Sequence, residues 1–91
     1  MDNALKISWD SDAQKKFERL IEKVPVFMRS IAQKKVSDKA ESIAKKDNRA
    51  VISEKDMVDA FFEATPFGFH GPMKTDMESL KIDYVKYGHP K

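Results

Sequence analysis

The sequence predicts an all-α protein: a small three-helix domain of two long antiparallel helices plus a shorter third, with a mostly irregular C-terminal tail. Three observations predict it. Three segments carry apolar residues at helical spacing behind a capping residue or a helix-starting proline. Pro25 and Pro66 stop two of them. Beyond Pro66 the chain mixes aromatics with Gly and Pro. The chain therefore divides into a helical unit, 1–65, and a tail, 66–91, expected either to fold back on the helices or to wrap a partner.

Residues 1–8 read as a loose or short extended lead-in. Ser11-Asp12-Ala13-Gln14 has the form of a capping box, with the Ser hydroxyl as acceptor and Gln14 reaching back. Ala13, Phe17, Leu20, Ile21 and Val24 then share one helical face, and Pro25 disfavours helical geometry at Val24, so the first helix should stop near residue 23. Pro25 also suits the first position of a second helix, where its missing N–H costs nothing. Met28, Ala32, Val36, Ala40, Ile43 and Ala44 continue that helix to about Asp47, with Phe27 and Ile31 beside the stripe. Lys45 and Lys46 fit its negative dipole end, and Asn48 suits a left-handed cap. Ala50-Val51-Ile52 reads as a connector. Ser53-Glu54-Lys55-Asp56 opens a third helix, with Met57, Val58, Phe61, Phe62 and Ala64 inward, and Thr65-Pro66 ends it. Phe67 to Pro72 is expected to be non-helical. Thr75-Asp76-Met77-Glu78 would start a short helical turn, and 82–87 alternates like an extended segment. No internal repeat is visible.

Ninety-one residues make one domain at most, with room for one small core. Residues 1–65 hold 13 Lys/Arg and 12 Asp/Glu, and 66–91 hold 4 and 3, so neither half forms a basic tail and nucleic acid is an unlikely partner. The chain has no cysteine, which removes disulfides, thiolate-held clusters and thiol nucleophiles, and fits a reducing, cytoplasmic setting. The first residues lack the apolar run of a secretory leader. No window approaches the roughly 18 apolar residues of a membrane span, so no membrane partner is expected.

Several positions carry a family resemblance. These are Trp9 with Ala13, the corner Val24-Pro25-Val26-Phe27-Met28-Arg29, Glu41 with Ala44, and Ile52-Ser53 with Met57, Val58 and Ala60. Over about residues 8–64 the chain resembles the small helical domain at the C-terminus of the catalytic B subunit of light-independent, dark-operative protochlorophyllide reductase, a domain that also occurs free-standing in anaerobic bacteria. In that nitrogenase-like enzyme, electrons reach a tetrapyrrole through iron–sulfur clusters supplied by other domains. The resemblance implies a module that covers, docks onto or regulates a larger redox protein. The second helix looks about one turn longer here than the family pattern, and the tail lies outside the resemblance.

Candidate sites follow from residue type and position. Arg29, one turn into the second helix, could clamp a carboxylate or cap the carbonyls ending the first. Trp9, Phe17 and Phe27 should form one aromatic cluster, either core or a platform for a partner or tetrapyrrole. Met28, Met57, Met73 and Met77 suit core or an adaptable binding face. His70 and His89 are the only imidazoles and make a weak metal signal. Lys34, Lys35, Lys39, Lys45, Lys46 and Arg49, interleaved with Asp38, Glu41 and Asp47, form a solvated face, or one for an acidic protein or a weak nucleic-acid contact. No nucleophile motif, phosphate loop or paired-acid wall is present, so no catalytic or metal-binding residue is assigned.

The tail residues Phe67, Phe69, Met73, Met77, Leu80, Ile82, Tyr84, Val85 and Tyr87 are too apolar for ordinary disorder. The expected contact set is Trp9, Phe27, Arg29, Phe67, Phe69, His70, Met73, Met77, Tyr84 and Tyr87. The expected function is that of a non-catalytic accessory or small subunit on a larger anaerobic redox or metalloenzyme. The alternatives are a tetrapyrrole carrier or chaperone and, more distantly, a histone-like nucleic-acid binder.

Overall fold

The computed structural model describes residues 6–91. The earlier part of the expected lead-in lies outside them. The fold is broadly all-α, but it has four α-helices rather than three and a two-stranded parallel sheet. Strand β1 (Ser8–Trp9) leads into α1 (Ser11–Lys23), a 3₁₀ turn (Val26–Met28) and α2 (Arg29–Lys46). Strand β2 (Val51–Ile52) leads into α3 (Glu54–Ala64), a second 3₁₀ turn (Phe67–Phe69) and α4 (His70–Ser79), and a third 3₁₀ turn (Val85–Tyr87) lies near the C-terminus.

The two halves repeat one plan that the residue pattern does not betray. Ser8 pairs with Val51 and Trp9 with Ile52, an offset of 43. The same offset relates the helix caps Asp10 and Ser53, each directly after its strand. Because α1 has 13 residues and α3 has 11, the offset falls to 41 at Pro25 and Pro66. Both second helices end in a Schellman motif. In α2, Arg49 N–H bonds Ala44 O and Asn48 N–H bonds Lys45 O; in α4, Ile82 N–H bonds Met77 O and Lys81 N–H bonds Glu78 O. Asn48 (φ 56°) and Lys81 (φ 60°) hold the left-handed position.

Local chemistry sets the boundaries and corrects several expectations. The α1 cap is Asp10, whose carboxylate accepts from Ala13 N–H at 3.0 Å, one residue before the expected Ser11. The Ser53–Asp56 pair forms a reciprocal capping box for α3. Pro25 starts a 3₁₀ turn instead of α2, so that helix has 18 residues and is about 27 Å long. Gly71 and Pro72 fall in the first turn of α4, where N–H groups have no intrahelical partner and a missing donor costs nothing. Thr75 is therefore inside a helix, with its hydroxyl donating to Gly71 O. The expected extended segment at 82–87 is a turn containing the 3₁₀ helix.

The main helix–helix interface is α2 on α3. Ion pairs fix its sense: Lys39 meets Glu63 at 3.4 Å, while Arg49, just past α2, meets Asp56 in the first turn of α3. The helices are thus antiparallel, with fully buried Ala40, Ala44 and Ala60 permitting close approach. One hydrophobic cluster joins Phe17, Leu20 and Ile21 of α1 to Val36 of α2, Met57 and Phe61 of α3, and Met73, Met77, Ile82 and Tyr84 of the tail segment. Residues 66–91 therefore fold back on the helices. Gly88 (φ 98°) turns the chain so that His89 stacks on Phe62 at 4.0 Å and bonds Asp59 at 2.6 Å.

Asp56 is the one fully buried charged side chain among the described residues, at 2% exposure. Its two oxygens accept from Arg49 Nη1 and Nη2 at 2.6 and 2.8 Å, and Oδ2 also accepts from Ser53 N–H at 2.9 Å. Burial alone would raise its pKa, but the Arg49 guanidinium and the Ser53 N–H outweigh burial and hold it below the ordinary value. Glu54 behaves alike: burial opposes ionisation, while Lys16 and the Tyr87 hydroxyl lower the pKa on balance.

Both carboxyls are depressed in the folded state, so their stabilisation is present above the ordinary values of 3.8 and 4.5 and is lost as pH falls through the lower folded values. Urea titrations should show the midpoint falling steeply below about pH 4. Asp56→Ala should flatten that fall and, at neutral pH, cost about 2–4 kcal/mol through the lost cap and ion pair. Conversely, Lys81→Gly should raise stability by about 0.5–1 kcal/mol by relieving left-handed strain, read as a higher melting temperature.

Candidate docking surface

Each half of the repeat turns a corner in the same way. At the first, Val24 and Pro25 are extended (ψ 141° and 140°), Met28 N–H bonds Pro25 O at 2.9 Å, and Arg29 starts α2. At the second, Thr65 and Pro66 are extended (ψ 129° and 144°), Phe69 N–H bonds Pro66 O at 2.9 Å, and His70 starts α4. A nitrogen-bearing side chain then reaches back to the helix just ended. Arg29 donates from Nε to Val24 O at 2.8 Å and from Nη2 to Glu22 O at 2.6 Å. His70 Nε2 lies 2.9 Å from Thr65 O and 3.1 Å from Phe62 O. Carbonyls only accept, so Nε2 carries the proton. Both side chains satisfy carbonyls that a helix end leaves without partners.

The corners expose what the core would be expected to hide. Val26 is 75% exposed, Phe27 82%, Ile31 56%, Phe67 88% and Phe69 65%. With Met28, these are six of the eight large apolar side chains exposed among the described residues; Val51 and Val85 are the others. Five of them lie in the two 3₁₀ turns and Ile31 in the first turn of α2. The parallel strands start α1 and α3 together, and the antiparallel α2 returns from the first corner to the sheet. The first corner stands farther out, because α2 extends ten residues, about 15 Å, beyond Lys39.

The expected contact residues separate into two groups. Phe27, Phe67 and Phe69 are at the surface. Trp9 stacks on Phe17 at 4.7 Å, and Phe61 rather than Phe27 completes that aromatic cluster at 5.9 Å from Phe17. Met73, Met77 and Tyr84 are buried in the core and cannot touch a partner while the fold is intact. The Tyr84 hydroxyl donates to Glu78, and that of Tyr87 to Glu54 at 3.0 Å. Arg29 and His70 are engaged by the carbonyls they cap.

His70 and His89 both pack on Phe62, edge-on at 5.2 Å and stacked at 4.0 Å. Among the described residues no group of three or more His, Cys, Asp or Glu is placed to hold a metal. A groove of about 670 Å³ runs between α2 and α3 and is lined by Lys39, Ile43, Lys46, Arg49, Asp56 and Glu63 among others. Its lining includes no aromatic side chain. No described helix is long and apolar enough to cross a membrane.

These features define a small helical domain with a duplicated, aromatic-tipped corner. The chain belongs to the family described as Protein of unknown function (DUF2621), whose model matches residues 1–90. No curated protein matches the chain, and no solved structure does.

Side chains already in water contribute little to folding. Phe27→Ser and Phe67→Ser should each change stability by less than about 0.5 kcal/mol. Phe61→Ala, in the core, should cost about 3–5 kcal/mol. Denaturant unfolding of the three variants would separate the surface rings from the buried one.

Proposed function

We propose that the protein is a non-catalytic accessory subunit that docks on a larger protein. The supporting observation is the concentration of exposed aromatics on the proline corners. Three phenylalanines are largely exposed, Phe67 keeping one tilted ring contact with His70 at 5.5 Å, and aromatic side chains are the usual anchors of a protein interface. The second corner is the better protein contact. Phe67 and Phe69 flank Gly68 on a short, firmly hydrogen-bonded turn, so little ordering is required on binding. Around it the charge is balanced: Glu63 is paired with Lys39, and Lys74 lies over the Phe62 ring at 6.0 Å. A neutral, aromatic, projecting turn suits an apolar pocket on a partner. The nature of that partner, a larger anaerobic redox or metalloenzyme, rests on the resemblance to the protochlorophyllide reductase domain.

Affinity purification of the tagged chain from its native cells tests this reading. The wild type should bring down one large subunit in near-stoichiometric amount, and that subunit, tagged in turn, should return this chain. Phe67→Asp with Phe69→Asp should lose the partner while the circular dichroism spectrum is unchanged. The purified chain alone should show no turnover. A wild-type chain that is active by itself and recovers no partner would overturn the proposal.

A further inference from the structure

The two corners share a backbone plan but not their charge. Between residues 22 and 38 lie four cations, Lys23, Arg29, Lys34 and Lys35, and two acids, Glu22 and Asp38. The chain's formal excess is +2, so this stretch holds all of it and the remainder is balanced. Asp38 is paired with Lys34 at 3.0 Å, which leaves Lys23 and Lys35 with no carboxylate partner, and Glu22 with no cation partner, among the described residues. Within that basic collar Val26 and Phe27 form the tip, with Met28 and Ile31 exposed behind them. The first corner is also the one that stands farthest from the sheet.

Shape and charge together select the occupant. The apolar residues sit on the outside of a tight turn and so form a projection, not a groove. A second copy would bring one basic collar against another, which like charges disfavour. A projecting apolar tip with Lys23 at the end of the helix before it and Lys35 on the helix after it matches the boundary of an anionic bilayer, where the ring enters the acyl margin and the ammonium groups meet the headgroups. We propose that the Val26–Ile31 corner inserts into the surface of an anionic membrane and tethers the domain there peripherally. No spanning helix is needed, and the second corner stays available to a protein. The proposal is independent of the docking reading, because vesicle binding requires no partner.

The test is co-sedimentation of the full chain with phosphatidylcholine vesicles, pure or containing about one third phosphatidylglycerol. Binding is expected on the anionic vesicles only, weakening as salt rises. Phe27→Asp should lower the partition about ten- to hundredfold, the loss expected when one aromatic no longer leaves water. Val85→Asp, at an exposed apolar position outside both corners, should leave it unchanged. Phe27→Trp should show a blue shift in emission on the vesicles, and Val85→Trp should not. Absence of binding at low salt would overturn the proposal, as would a partition insensitive to Phe27→Asp. So would a Phe27→Asp variant that loses its protein partner yet still binds vesicles, since the corner would then be a protein contact.

Discussion

The fold depends on how the buried carboxylate of Asp56 is satisfied. Asp56 lies in the first turn of α3, while Arg49 follows the left-handed Asn48 that ends α2. The guanidinium therefore ties the end of one helix to the start of the next across β2, and it also reaches Asp47 and Val51 O. Three consequences follow from the one contact. It sets the antiparallel course of α2 on α3, holds β2 where β1 can pair with it, and completes the α3 cap through Ser53. A carboxylate buried without its guanidinium would face a desolvation cost that hydrophobic neighbours cannot offset. Removing Arg49 should therefore disturb three elements at once.

The repeat explains why so small a domain has two exposed corners. Each half must leave a strand, run one helix, and reverse into another. Proline after an extended residue makes the reversal with few residues, and a side chain from the next helix caps the carbonyls left behind. That device engages Arg29 through Nε and Nη2 and His70 through Nε2, and leaves the residues at the tip of the turn mostly in water. The tip is thus free to vary without disturbing the fold, and it is where one half carries valine and phenylalanine with lysines nearby and the other two phenylalanines about a glycine.

Much of the helical unit is legible in sequence because caps and prolines are local signals. The end of α1, the Ser53 cap, the end of α3 and the left-handed Asn48 all follow from residues within one turn. The sheet is not legible: strands of two residues have no periodicity, and their pairing spans 43 positions. Helix α4 is hidden because Gly71 and Pro72 read as breakers until they are known to occupy a first turn. Composition alone leaves the tail undecided, since Met77, Ile82 and Tyr84 would serve a wrapping arm as well as a core. The docking surface is half legible. Phe67 and Phe69 stand out by type, but hydrophobicity cannot say that Phe27 faces water while Trp9 lies against Phe17. The signal for Asp56 was its place as partner in the Ser53 box, with Arg49 seven residues upstream as the nearest arginine.

The contact residues that remain are those the fold does not consume. Arg29 is the case in point: it is the most distinctive polar residue of the first corner, and recognition of a carboxylate would be its natural role. Its Nε and Nη2 are already committed to Val24 and Glu22 carbonyls, so clamping a carboxylate through that edge would uncap α1, and only Nη1 is left without a partner among the described residues. Its charge remains, however, because hydrogen bonding to carbonyls neutralises nothing. Arg29 thus contributes to a partner chiefly through the field it adds to Lys23 and Lys35, while the apolar contacts fall to Val26, Phe27 and Ile31. Specificity of contact and long-range attraction are carried by different residues on the same corner. For that reason a charge substitution there should act on salt dependence, and an apolar one on the depth of binding.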